Sequence, residues 1–224
     1  MTAPALRRLA GALSLCALTA CATQSPARHF APASAAEAND ALAAWSTLSA
    51  RAASLSASRL LYDARLSADG TPAVPGTLAV TYDGSAVVTA SLTGPFGSNI
   101  AQYRDGTLTG QDRRAFVVDP EALRSVLAGA WSGGSPAVQG VDAGQSLIAI
   151  DAEGARVLAV LDLASRSLVS MDVTGRSGHL VVEYTGEANP WPPRLTVRDE
   201  TTNKSLALKL IAVEPVAAGG SAGR

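Results

Sequence analysis

Arg59-Leu60-Leu61-Tyr62-Asp63-Ala64-Arg65-Leu66-Ser67 decides the fold. Leu60, Tyr62, Ala64 and Leu66 alternate with Arg59, Asp63, Arg65 and Ser67, the period of two that sends every second side chain to one face of a strand. One face is apolar and the other wet, as in an antiparallel sheet solvated on one side. Leu78, Val80 and Tyr82 repeat the pattern against Thr77, Ala79 and Thr81. Asp69-Gly70, Asp83-Gly84 and Asp105-Gly106 supply the positive-φ residues that tight hairpins need. Further strands are predicted at 86–93, 98–104, 107–111, 113–118, 145–150, 155–163, 167–174, 179–185, 194–200 and 204–213. Only the stretch from Asp119 to about Ala130 interrupts them, and no strand is read between 131 and 144.

Two helices are expected beside these strands. Ser34-Ala35-Ala36-Glu37 is a capping-box pattern, with Ser at the N-cap and Glu three residues on. Behind it Leu42, Trp45, Leu48, Ala52 and Leu55 recur every three or four residues, one apolar stripe on a helix of about five turns. Asp119 can cap a second, short helix with Pro120 at its first position and Leu123, Val126 and Leu127 as its apolar face. Many antiparallel strands and few helices exclude a βαβ sheet. The expected fold is mainly β: a strongly curved antiparallel meander, open or nearly closed, with both helices on its concave side.

The start of the chain has a different character. Arg7 and Arg8 precede an apolar run from Leu9 that ends in Leu18-Thr19-Ala20-Cys21, the layout of a secretory signal. The run is roughly a dozen residues, too short to span a hydrocarbon core about 30 Å thick. Leu-Thr-Ala-Cys resembles the bacterial lipobox, whose cysteine is acylated and becomes the mature N-terminus. That resemblance implies covalent lipid on Cys21 and a signal over 1–20; the polar, proline-containing stretch after it is read as a tether over 21–33, the strands and helices as one domain over 34–216, and the Gly, Ala and Ser end as a disordered tail over 217–224. Ala22 follows the cysteine rather than the Asp that marks inner-membrane retention, so the outer membrane is expected, with the domain facing the periplasm. Two or more acyl chains, at ~0.8 kcal/mol per buried methylene, suffice for stable anchoring.

The bounds are consistent with one globular domain. Roughly 200 residues follow the leader, enough for a sizeable core. Basic and acidic residues number 18 and 19, two of the basic ones in the leader, so no basic patch points to nucleic acid. Cys16 lies in the signal and Cys21 is the lipidation site, which leaves no thiol for a disulfide. Hydrophobic residues make up 47% and aromatics only 4%, so the interior is aliphatic and easily repacked.

No catalytic constellation is legible. The two histidines, His29 and His179, lie in the tether and at a strand start, and a mononuclear metal site wants three or four ligands at characteristic spacing. Carboxylates fall singly in turns (Asp69, Asp83, Asp105, Glu153) or on outer strand faces (Asp63, Glu183). Gly219 to Gly223 spells G-x-S-x-G, but in a tail rather than between a strand and a helix. An enzyme is not expected, and neither a metal nor a cofactor.

Ala90-Ser91-Leu92-Thr93-Gly94-Pro95-Phe96-Gly97-Ser98 joins two strands through a loop with a large aromatic at its tip. Phe96 either folds back into the core or projects toward a bilayer interface. The stretch resembles the Leu-Thr-x-Pro-Leu-Gly-Ser segment of the LolB lipoproteins, within the wider LolA/LolB carrier group; Phe96 stands where that family commonly has Leu. The similarity runs on through Gly106 to Val118 and Asp119-Pro120-Glu121-Ala122-Leu123. It resumes at Trp191-Pro192-Pro193-Arg194-Leu195-Thr196-Val197 and Leu206-Ala207-Leu208-Lys209-Leu210.

The resemblance implies an incomplete barrel whose helices plug an apolar cavity for acyl chains, the only ligands besides the lipid on Cys21. It implies lipoprotein cargo, a LolA-type periplasmic carrier as partner, and a monomer that accepts and inserts lipoproteins at the outer membrane. Leu92, Pro95 and Phe96 would then contact the membrane. Leu60, Tyr62, Leu78, Val80, Val88, Ile100, Ile148, Ile150, Leu161, Val169, Met171, Leu180 and Val182 would line the cavity, although periodicity alone fits a solid core equally well. A scaffold for an envelope complex and a carrier of other lipids remain alternatives.

Overall fold

The computed structural model describes residues 29–216, apart from 69–70, 113–116, 119, 132, 153 and 176–177. The signal, Cys21, most of the tether, the tail from 217, the Asp69-Gly70 turn, Glu153 and the Asp119 cap lie outside the described residues. So does most of the strand expected at 113–118, whose last residues, Val117 and Val118, form a buried bend.

Helix α1 (Ala35–Ala53) begins as its sequence dictates. Glu37 N–H donates to Ser34 Oγ, while Ser34 N–H donates to Glu37 Oε2 at 2.8 Å. Ser34 Oγ, donating to Glu37 Oε2 at 2.7 Å, and then Ser34 N–H hold the Glu37 carboxyl below its usual pKa. The buried face is Ala41, Ala44, Trp45, Leu48 and Ala52. Leu42, expected in the stripe, is 36% exposed, and the smaller Ala41 takes the inward position.

Twelve strands form one antiparallel sheet. They are β1 (Ser58–Ala68), β2 (Val74–Tyr82), β3 (Val87–Thr93), β4 (Asn99–Arg104), β5 (Thr107–Thr109), β6 (Ser135–Asp142), β7 (Gln145–Ala152), β8 (Ala155–Asp162), β9 (Ser167–Gly175), β10 (Gly178–Thr185), β11 (Arg194–Asp199) and β12 (Lys204–Pro215). Their order is β5-β4-β3-β2-β1-β12-β11-β10-β9-β8-β7-β6. Two meanders thus meet at one seam, where the first strand pairs with the last: Leu60 opposite Val213, Ala64 opposite Leu208. Because β5 and β6 are the two edges, the chain must pass from one to the other, and helix α2 (Pro120–Ala128) lies on that passage.

Curvature comes from residues inserted one at a time. Val88 in β3, Ile100 in β4, Gln139 in β6, Val169 in β9 and Ile211 in β12 each lack a partner where the register shifts. Such bulges bend a strand and increase its twist. They also offset the period of two, and two expectations for the interior fail there. Val88 is 37% exposed because Val87 takes the inward place opposite Tyr82. Val169 is only half-buried, because Leu168 takes its place opposite Leu161.

Strand β6 forms where the sequence pattern predicts no strand. Its Gly133-Gly134-Ser135-Pro136 opening looks like a turn, but Pro is tolerated on an edge strand, where one row of N–H groups has no ladder to join. Ala31 covers part of this edge: Ala31 N–H donates to Val141 O at 2.9 Å, and Val141 N–H to Ala31 O at 2.8 Å. A Cβ on Gly140 would come within 2.6 Å of Ala31 O, so only glycine permits the approach.

Candidate functional site

The concave face of the sheet is the first candidate. Leu60, Tyr62, Leu78, Val80, Ile148, Leu161, Met171 and Val182 are fully buried there, and Ile150 is 1% exposed. Ile100 and Leu180 are partly buried against the same core. Trp45 and Leu48 of α1 and Leu123, Val126 and Leu127 of α2 belong to that single cluster. The face that the sequence offered as a cavity wall is therefore occupied by the protein's own helices.

Among the tyrosines of this interior, Tyr184 and Tyr62 differ in how their hydroxyls are paired. Tyr184 (β10) donates from Oη to Val126 O at 2.8 Å, satisfying a carbonyl in the last turn of α2. Tyr62 (β1) is fully buried, and its hydroxyl has no partner. Burial pushes the Tyr62 phenol far above its usual pKa. Tyr184 is raised as well, by enclosure of its hydroxyl and then by the neighbouring Tyr62. Arg51 of α1 reaches Ala188 O at 3.2 Å from one guanidinium nitrogen, while its Nε is buried without a partner. An unsatisfied buried donor costs about 1–3 kcal/mol, so the covered state forgoes stability at both sites.

The Phe96 turn is the second candidate. Between β3 and β4, Gly94 N–H donates to Ser98 O at 2.8 Å and Gly97 N–H to Gly94 O at 3.2 Å, closing a tight loop. Phe96 sits at its tip with φ 59° and ψ 23°, in the left-handed region. Its relative exposure is 108%, so the ring touches almost nothing. A left-handed conformation costs a non-glycine residue about 1–2 kcal/mol, and leaving the ring out forgoes ~1.5–3 kcal/mol of burial. Pro95 is also exposed. Leu92, expected to join this contact surface, instead points into the core at 1% exposure, since it pairs with Leu78 on the concave side.

No other chemistry gathers among the described residues. His179 lies at the start of β10 with its Nε2 2.9 Å from Asp172 Oδ1, and both side chains are about two-fifths exposed. No group of three or more His, Cys, Asp or Glu side chains there could hold a metal ion. No described helix is long and apolar enough to cross a membrane.

As a sequence the chain matches no family model and no curated protein. As a fold it has solved counterparts. It is similar to a LolA superfamily protein from Nitrosomonas europaea, with a TM-score of 0.54 at 10% identity over 78% of this chain and 94% of that one. It is also similar to a DUF1329 family protein from Desulfovibrio piger, with a TM-score of 0.49 at 8% identity over 81% and 95% of the two chains. The architecture is thus a LolA-like incomplete barrel with helices on its concave face.

Proposed function

We propose that this protein is an acyl-chain binding lipoprotein, anchored through Cys21 to the outer membrane, that accepts lipoproteins from a LolA-type carrier and inserts them. It acts as a monomer by binding and release, with no catalytic step and no ligand other than acyl chains. The observation that carries this reading is Phe96, which is strained, flanked by Pro95 and Gly97 and fully exposed. Neither cost returns anything to the fold, whereas an aromatic ring at a bilayer interface gains what it forgoes in water.

Acyl chains would enter the concave face by displacing α1 and α2. A chain of about a dozen methylenes gains roughly 10 kcal/mol on leaving water, against the helix burial that it replaces. The unsatisfied donors on Tyr62 and Arg51 lower the cost of opening. Handover then needs no nucleotide: each transfer runs downhill when the next site is more apolar or more accessible.

The experiment is transfer in vitro. The chain without residues 1–21 is mixed with a LolA-type carrier loaded with a lipidated protein, and cargo is followed by pull-down and then by flotation with vesicles. Cargo should move onto this chain, and Phe96→Glu should spare that step but block release to vesicles. No movement from an active carrier to a folded acceptor would overturn the reading, and equal loss of both steps in Phe96→Glu would remove the role of the turn.

A further inference from the structure

The strand ends farthest from Phe96 hold a feature that the proposed function does not use. The Phe96 turn shares its end of the sheet with the β11–β12 turn, since Ala68 pairs with Lys204 and Thr93 with Asn99. At the opposite end Ser58 pairs with Pro215 and with Tyr82. An eleven-residue strand such as β1 puts these ends roughly 35 Å apart at about 3.3 Å per residue. There the C-terminal end of α1, the start of β1, the end of β12 and the β10–β11 connection line a half-open cleft of about 240 Å³.

Its lining is uncharged and mixes apolar side chains with hydroxyls. No charged residue lines it; Leu55, Pro190, Trp191, Val213 and Pro215 do, together with three serines. Two of those hydroxyls are already committed as donors, Ser54 Oγ to Arg51 O at 2.8 Å and Ser58 Oγ to Ser56 O at 3.0 Å. The cleft lies beside the covered interior. Val213 is the cross-strand partner of Leu60 and so shares its concave side, yet Val213 is 42% exposed where Leu60 is fully buried. Burial thus changes between these two neighbours and sets the cleft's apolar edge next to the concave core.

The opening is held in shape. Arg51 on α1 donates to Ala188 O in the β10–β11 connection, tying two walls together. Trp191 is fixed edge-on to Tyr82 with ring centroids 5.6 Å apart. The volume falls below the roughly 300–1,000 Å³ of a pocket for a compact small molecule.

We infer that this cleft is a preformed site for the end of a single acyl chain, the point of entry to the concave face, opposite the Phe96 end from which chains leave. The inference rests on the acyl-binding reading above and adds a direction to it. A chain is held first between Trp191 and Val213 without any helix moving, then advances past Leu60 as α1 and α2 lift. Proteins that deliver acyl chains would dock at this end, leaving the Phe96 end free for the membrane.

The probe is 9,10-dibromostearic acid, which quenches tryptophan fluorescence on contact, with radiolabelled stearate to count binding independently. The chain from Ala22 onward is used, which keeps every described element. The expected result is saturable one-to-one quenching, most of it absent from Trp191→Phe while stearate still binds. Val213→Glu, at a partly exposed position that spares the fold, should weaken stearate at least about tenfold, because the carboxylate would be desolvated beside the chain. Quenching unchanged in Trp191→Phe, or stearate affinity unchanged in Val213→Glu, would place the chain elsewhere and overturn the inference while leaving acyl binding intact. No saturable stearate binding at all would overturn both. Displacement of the bromolipid by a diacylated cysteinyl peptide assigns the cleft to lipoprotein chains; retention in its presence assigns it to free fatty acid.

Discussion

Tyr184 and Val126 join the sheet to the second helix through one hydrogen bond, phenol to carbonyl at 2.8 Å. Tyr62, a second phenol on the same concave side, has no such acceptor. The two residues share chemistry and surroundings but differ in hydrogen-bond satisfaction, so removing the same atom from each should act with opposite sign. Tyr62→Phe deletes an unpaired buried donor and should stabilise the protein by about 1 kcal/mol, whereas Tyr184→Phe leaves the Val126 carbonyl only the longer bond from Gly129 N–H, at 3.4 Å, and should cost up to about as much. In a protein of this size each change amounts to roughly 2–4 °C in Tm. Thermal unfolding of both variants checks the pair, and shifts of the same sign would refute the assignment.

The same phenols set the alkaline limit. Burial raises both pKa values in the folded state, so folded Tyr62 and Tyr184 keep their protons after the unfolded chain has begun to lose them. Below the ordinary tyrosine pKa of about 10 both states are protonated and the stability is fully present. Above it the unfolded state ionises first, and stability falls with rising pH by up to about 1.4 kcal/mol per pH unit for each such group. Urea midpoints measured from pH 8 to 11.5 should be level at first and then decline. Tyr62→Phe should decline less steeply.

How far the sequence carries the fold depends on where its period of two survives. Along β1 and β2 the alternation carries far enough that Leu60, Tyr62, Leu78 and Val80 are placed inside from sequence alone, and the structure agrees, whereas in β7 and β8 the apolar runs Ile148-Ala149-Ile150 and Ala159-Val160-Leu161 are buried throughout and show no period of two. At Val88 and Val169 one inserted residue shifts the phase. A bulge leaves no signature in hydrophobicity, because the extra residue is itself apolar. β6 was hidden by residues that mean a turn in most contexts and an edge strand here. Phe96 was legible as exceptional from Pro95 and Gly97 beside it, but its full exposure rests on a backbone angle that no pattern encodes. The cleft at the far end was not legible at all, since four elements distant in sequence build it, with one or two residues contributed by most of them.

Gly110 provides a test of the turn that follows β5. It adopts φ +124°, and a Cβ there would lie 2.5 Å from Ile100 O and 2.6 Å from Ala101 Cα. Both contacts are backbone, so neither can step aside. Gly110→Ala should therefore destabilise by clearly more than 1 kcal/mol, whereas Gly106→Ala meets no atom within 4 Å and carries only the strain of its φ of +77°. Denaturant midpoints should rank wild type first, Gly106→Ala second and Gly110→Ala last.

Phe96 separates stability from the proposed activity. Replacing it with glycine removes the penalty of a left-handed φ of 59°. The loss to the folded state is small, since the ring is fully exposed and has no packing to forfeit. Added backbone freedom in the unfolded chain costs about 0.4–1 kcal/mol in return, so Phe96→Gly should leave Tm within about 3 °C of wild type. Vesicle release in the transfer assay should nonetheless fall at least tenfold, while cargo uptake persists. Phe96→Leu keeps an apolar tip and should retain most of the release. If Phe96→Gly lowered Tm by 5 °C or more, the ring would have a packing role that its exposure denies; if release survived in Phe96→Gly, the apolar tip would not be what meets the membrane.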